Sequence, residues 1–435
     1  MQDSSLSHQD HPSLALPQNG SQHLGQEYAP MSAAHSANPY IIYARMRQEE
    51  PAFFSPLVQA WVVSRYEDVI TVLRDHRRFS MAILGSGAHR FTPEALAIMG
   101  SSPIAGVPSI VATDPPVHTR LRSCVTRALS AQRIASLEPR LRHLANRLID
   151  QFVQDGQADF MRQFARPYPI MVIGSLLDVP EADMPHLLRW ADDAMTLLFA
   201  DVPAEQQIPL AQSYLALDQY VYDMVEERRK GPRDDLTSDL LRAVDAGEAP
   251  LSTVEAADLL QRLLVAGFET TVKFLGNCLY QLLTERRYWQ ALLDDPSIIP
   301  ALVEEALRFN SPVLSTFRQT TEAVELAGKS IPKGAMVQVV LTSANHDEAI
   351  FPDAEIFGPQ REKASRHVTF GYGIHFCIGA PLARLETRVA LEQLSQRLPS
   401  LRLVPDQEMV YIPNIVLHGL KQLLVEWDAV NVIIR

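Results

Sequence analysis

The longest sustained apolar pattern in the chain runs from about Ser252 to Glu285. Its apolar residues recur round much of each helical turn, which predicts a long helix buried on most sides. Ser252 stands where an N-cap is expected. Further helical patterns cover residues 38–49, 66–75 and almost all of 134–230, with breaks at Pro167-Tyr168-Pro169 and Val179-Pro180. Asp114-Pro115-Pro116 opens another helix, and Glu304-Glu305-Ala306-Leu307-Arg308 ends a later one. Strand-like runs are short: Trp61–Ser64, Ala323–Leu326 and Ala335–Leu341, with Ile331-Pro332-Lys333-Gly334 as a turn between the last two. Pro312 to Phe317 reads as extended. Residues 80–112 show no period, and a loop of that length is usually functional or mobile. Residues 1–36 are rich in Ser, Gln, His and Pro, which predicts a disordered arm ahead of one domain over 37–435.

Composition narrows the possible partners. The chain has 435 residues with 47% apolar content, enough for a substantial core, and a net charge of −12. That charge disfavours nucleic acid and anionic membranes. No run of ~20 apolar residues predicts a membrane span. The cysteines number three, Cys124, Cys278 and Cys377, and are widely spaced. An odd, scattered set argues against a disulfide framework and for a reducing, cytoplasmic setting.

Chemistry concentrates at Phe370-Gly371-Tyr372-Gly373-Ile374-His375-Phe376-Cys377-Ile378-Gly379-Ala380-Pro381. The glycines permit close backbone approach, and Pro381 suits the first turn of the helix that follows. Cys377 is thereby set at a helix N-terminus, where backbone N–H groups favour a thiolate. Such a thiolate can ligate a metal or act as a nucleophile. Zinc would need three or four ligands at short spacing, and His375 and Cys377 are two. A cysteine nucleophile would need a base, and no neighbour supplies one.

Within the long helix, Ala266-Gly267-Phe268-Glu269-Thr270-Thr271 sets poor helix formers and a carboxylate where a buried apolar run is expected. Conflict between local sequence and element often marks function. A threonine there can bond back to the preceding turn and leave room beside the helix. His118 and Arg122 share a helix face at i and i+4, and Glu305 can pair with Arg308 at i and i+3.

The pattern Phe-x-x-Gly-x-His-x-Cys-x-Gly resembles, position for position, the haem-binding loop of the cytochrome P-450 (haem-thiolate) family. The six residues of the long helix resemble that family's oxygen-binding motif, and Glu305-x-x-Arg308 its Glu-x-x-Arg motif. The likeness extends over nearly the whole chain after residue 37 and points to the soluble bacterial branch. It implies a mainly α single domain with small β-sheets, the haem gripped between the long central helix and the Cys377 loop. Cys377 is then the iron ligand, with Phe370, Gly371, His375 and Gly379 around the haem. Ala266 and Gly267 lie over the haem, and Thr270 and Glu269 form the catalytic acid–alcohol pair. His118, Arg122 and Arg318 bind propionates, and Glu305 and Arg308 form a buried brace. Phe268, Val313, Leu314 and Thr316 are expected near substrate, and the 195–199 apolar patch as a roof.

The resemblance further implies haem b, O2 as co-substrate and NAD(P)H acting through redox partners. The expected reaction is hydroxylation or epoxidation of a lipophilic natural product such as a terpenoid, steroid, macrolide or fatty-acyl compound. A ferredoxin-type donor is expected at the Cys377 face of a monomer, steered by the basic run Arg361, Lys363, Arg366 and His367. Other haem-thiolate chemistry (peroxygenase, desaturase, isomerase) and a non-catalytic haem protein are the alternatives. Gly358 stands where the family commonly has Asp.

Overall fold

The computed structural model describes residues 22–82, 91–200, 202–243 and 250–428. Helices carry most of these residues. Those that position the site are α1 (Tyr66–Arg74), α2 (Val117–Ala128), α3 (Ala204–Lys230), α4 (Thr253–Thr284), α5 (Ile299–Phe309) and α6 (Ala380–Arg397). Helix α4 begins as its sequence predicts. The Glu255 backbone N–H donates to Ser252 Oγ (3.2 Å), and the Ser252 N–H donates to Glu255 Oε2 (2.9 Å). This reciprocal cap satisfies donors that have no intrahelical partner. Most of the α4 circumference is buried against its neighbours, as the all-round apolar pattern requires.

The larger sheet holds β1 (Ala52–Ser55), β2 (Ala60–Val63), β3 (Phe79–Ser80), β4 (Thr316–Thr320) and β5 (Met336–Val339), ordered β1-β2-β5-β4-β3. Strand β2 runs parallel to β5, pairing Trp61 with Val337, whereas β4 runs antiparallel to it, pairing Arg318 with Val337 and Thr316 with Val339. Because side chains alternate along a strand, Thr316 and Arg318 share one face of β4.

Three sequence expectations need correction. The arm expected to be disordered to residue 36 is folded from residue 22, with helices Gln22–Glu27 and Ala33–Ala37. Its few apolar side chains suffice, since Leu24 and Tyr28 pack with Phe53, Val62 and Leu314. Residues 1–21 lie outside the described residues. The unpatterned 80–112 segment contains a helix, Pro93–Gly100, started by Thr92 Oγ1 accepting from the Ala95 N–H. Residues 83–90 are outside the description. The 134–230 stretch is interrupted by a strand, Gln157–Asp159, and a π-helical turn, Met161–Ala165.

Candidate haem and substrate site

A cavity of about 360 Å³ lies between one face of α4 and the cysteine loop. The contribution from α4 is Leu259, Arg262, Leu263, Ala266, Gly267, Thr270, Thr271 and Phe274. These recur at i, i+3, i+4 and i+7, so helical periodicity puts them in one stripe. A Cβ at Gly267 would stand 3.0 Å from Ile173 Cδ1, so a larger residue there would have to push the end of that side chain aside. Thr270 Oγ1 donates back to the Ala266 carbonyl at 2.8 Å, as its position in a buried helix suggested.

Opposite the stripe lie Phe370, Gly371, His375, Cys377 and Gly379. The Cys377 N–H donates to the Phe370 carbonyl (2.9 Å) and the Phe376 N–H to the Gly373 carbonyl (3.1 Å), folding the loop tightly. Gly373 has φ +75° and faces the Leu73 carbonyl on α1, which a Cβ would approach to 2.7 Å. No other residue fits that contact. Burial pushes the Cys377 thiol up, while the Gly379 and Ala380 N–H groups and the Arg122 and Arg384 charges favour the thiolate.

The loop is braced from behind. Arg384 on α6 binds both oxygens of Glu304 on α5 and lies over the Phe370 ring at 4.6 Å. Glu305 and Arg308, both fully buried, are joined by two hydrogen bonds of 2.8 Å. Glu305 also accepts from the Gly358 N–H (3.0 Å) and from Arg361 (3.0 Å). Arg308 donates to the Asn345 and Ala354 carbonyls (3.0 and 2.9 Å). At Gly358, where Asp is common in the family, the backbone N–H makes the contact.

At the cavity edge four cationic or potentially cationic side chains converge: His118, Arg122, Arg318 and His375. The two imidazoles lie with ring centres 4.1 Å apart, and both leave a buried Nε2 without a hydrogen-bond partner. Arg318 bonds only neutral oxygens of its own strand, Thr316 Oγ1 (3.3 Å) and the Phe317 carbonyl (2.7 Å). Burial lowers Arg318 to about 10, and burial together with His118, Arg318 and Arg122 holds His375 at about 3. Unpaired buried donors of one sign are costly unless an anion completes them.

Comparison with known proteins decides what completes this cavity. The family model described as Cytochrome P-450 matches residues 193–417. The chain is 39% identical to the mycinamicin IV hydroxylase/epoxidase of Micromonospora griseorubida, over 85% of this chain and 90% of that protein. It is 37% identical to the vitamin D(3) 25-hydroxylase of Pseudonocardia autotrophica, over 89% and 93%. Among solved structures, cytochrome P-450 CREJ in complex with (4-ethylphenyl) dihydrogen phosphate superposes with a TM-score of 0.87 at 32% identity, over 93% of this chain and all of that one. The chain belongs to the cytochrome P-450 family.

This cytochrome P-450 is a monooxygenase that uses haem, O2 and NAD(P)H-derived electrons. The residues present fit the cofactor. Orphaned His118 and His375 nitrogens, with Arg122 and Arg318, which bond no carboxylate, would hold its two carboxylates, and Cys377 would offer it a thiolate ligand. When bound, the haem supplies O2 reduction and oxidation of an unactivated carbon. No helix among the described residues is long and apolar enough to cross a membrane.

Several expected site residues lie elsewhere. Phe268 is fully buried in the core and does not line the cavity. It lies two residues beyond Ala266, about 200° round the helix and away from the stripe. Leu314 packs with Leu24, Tyr28 and Val340 behind the sheet, whereas Val313 and Thr316 do reach the cavity. Glu269 is off the lining, its carboxylate 2.7 Å from Lys273 Nζ on the same helix. Met195 and Leu197, expected near a roof, are buried in the core. Half of the basic run is internal: Arg361 pairs with Glu305, and His367 lies 3.4 Å from Glu304.

Sequence reasoning missed Arg262 and Glu386, both on the cavity wall. Extending the stripe one turn back from Ala266 would have found Arg262. Nothing local distinguishes Glu386, whose buried carboxyl has an unpartnered Oε2 and a pKa raised well above normal by burial.

Proposed function

We propose that this monooxygenase inserts one oxygen atom from O2 into a lipophilic natural-product molecule held above the Ala266–Gly267 stripe. A ferredoxin-type protein supplies the electrons at the Cys377 face. The observation that carries the reading is the juxtaposition of a thiolate loop with a stripe of small residues and leucines across one cavity. Apolar walls bury a lipophilic ligand at about 25 cal/mol per Å² removed from water. Relatives named for vitamin D(3) and mycinamicin IV support a bulky natural product.

In this reading Thr270 is the cavity's proton-handling hydroxyl. Its proton is shared with the Ala266 carbonyl, leaving the oxygen free to accept another bond. Glu269 stands one residue behind, paired with Lys273, and delivers protons when that pair opens. Thr316 bounds the substrate from β4 and Val313 from the segment before it. The donor docks against the exposed cations Arg74, Arg77, Lys363 and Arg366 in an otherwise acidic protein. Arg74 lies on α1, whose end abuts Gly373 of the cysteine loop, and Arg366 covers the Tyr66 ring of that helix.

The test is the absorption spectrum of the dithionite-reduced protein with carbon monoxide, beside a Cys377→Ala variant. A strongly red-shifted Soret band lost in the variant is expected. Turnover with ferredoxin, its reductase and NAD(P)H should then give a hydroxylated or epoxidised product. Product formation from peroxide alone, with none from the reconstituted chain, would replace the reading with a peroxygenase.

A further inference from the structure

One side chain on the cavity wall differs in kind from its surroundings. Arg262 lies on the α4 stripe among Leu259, Leu263, Ile110, Val111, Ile173 and Leu176. Its guanidinium is held from behind by Asp258, whose Oδ1 accepts from Nε at 3.1 Å, and its side chain remains 25% exposed. A second acid, Asp218, is buried in the same cluster and accepts from Ser102 Oγ at 2.6 Å. The Tyr214 hydroxyl is a further partner of the guanidinium, and an arginine fixed in this way keeps N–H donors for the cavity it lines without paying again for side-chain ordering.

The charge count decides what those donors can bind. Asp258 neutralises Arg262, and burial pushes Asp218 up to about 6, so the cluster has no surplus positive charge. A second anion brought against Arg262 would be buried without a counter-charge, which is unfavourable. A neutral acceptor oxygen has no such cost and gains a charge-assisted hydrogen bond.

We infer that Arg262 is the specificity-determining residue of the cavity, binding a ketone, ester or lactone carbonyl on an otherwise apolar substrate. The inference rests on the lipophilic-substrate reading above. Arg262 precedes Thr270 by eight residues on the same helix. At 1.5 Å per residue the two backbone positions are about 12 Å apart along the helix, so the bound carbonyl is held away from the carbon that is oxidised.

The experiment measures dissociation constants from the Soret shift of the haem-loaded protein with 2-tridecanone, tridecane and tridecanoate. These share a chain length and differ at one end. The ketone should bind at least about tenfold more tightly than the alkane or the acid, the scale of one hydrogen bond to a charged donor. That preference should fall to about threefold or less in Arg262→Met. If stranding Asp258 costs that variant its haem, the double variant Arg262→Met/Asp258→Asn decides instead. A ketone preference that survives in the variants overturns the assignment. Preference for tridecanoate in the wild type, lost in the variants, overturns the neutral-acceptor class. Equal binding of all three by the wild type sinks the role of Arg262 alone. A haem-loaded protein that binds none of them brings down the lipophilic-substrate reading itself.

Discussion

Two clusters of arginine, centred on the buried Arg308 and Arg318, flank the cysteine loop, and they are built oppositely. Around Arg308 every strong donor is matched: Glu305 takes two of its bonds, the Asn345 and Ala354 carbonyls take others, and Arg361 and Gly358 complete Glu305. Around Arg318, two arginines and two histidines meet with no carboxylate bonded to either arginine among the described residues. The first cluster closes on itself and therefore stabilises the chain. The second has only the more distant Asp114 as a counter-charge, and in the proposed reading a ligand's carboxylates would complete it. Burial of charge by itself does not mark a binding site; burial of charge without a partner does.

Removing one partner from each cluster is the sharpest test. Arg308→Ala strands Glu305 in a fully buried position, with an expected loss of about 3–5 kcal/mol. Urea unfolding should show it, and little haem-loaded protein should accumulate. Arg318→Ala should do the reverse. The apoprotein loses a buried cation that bonds no carboxylate and nearly keeps its urea midpoint, while haem affinity falls about 10- to 100-fold, the worth of a bond between charged groups. Haem transfer to apomyoglobin measures that change. Equal destabilisation of both apoproteins would erase the distinction.

A third effect concerns the clamp between the clusters. Burial alone would raise Glu304, but hydrogen bonds from His367 and Arg384 outweigh it and bring the carboxyl to about 2. Its folded pKa lies below the ordinary 4.5, so its stabilisation is fully present above pH 4.5 and is lost as pH falls toward 2. The full shift corresponds to at most about 3 kcal/mol. In Glu304→Gln the stability profile should be flatter across that interval, with the difference from wild type vanishing at its acid end. An unchanged acid slope would show that the clamp does not depend on the charge of Glu304.

The same contrast explains what could be read in advance. The long helix was legible because an apolar pattern sustained over nine turns has few alternatives, and Ser252 marks its start. The cysteine loop was legible because its glycines, His375 and Cys377 sit in one short segment. The positions of Phe268 and Leu314 were read by proximity in sequence and came out wrong. A helix turns about 100° per residue, so a neighbour of Ala266 or Thr270 need not face the same space. The folded arm from residue 22 was missed because Leu24 and Tyr28 are too few to form a pattern and gain their burial only against the sheet.

Sequence by itself determined the family, the helix-dominated fold, the cysteine loop and the Ala266–Gly267 motif opposite it. Each of these depends on residues close together in the chain or at a fixed helical period. Tertiary structure alone decided which charges find partners. Arg361 pairs with Glu305 and Arg47 with Glu348, 301 residues away, whereas Arg122 and Arg318 turn to the cavity. Pairing depends on distances between segments that may be hundreds of residues apart, and a charge in a sequence carries no record of them.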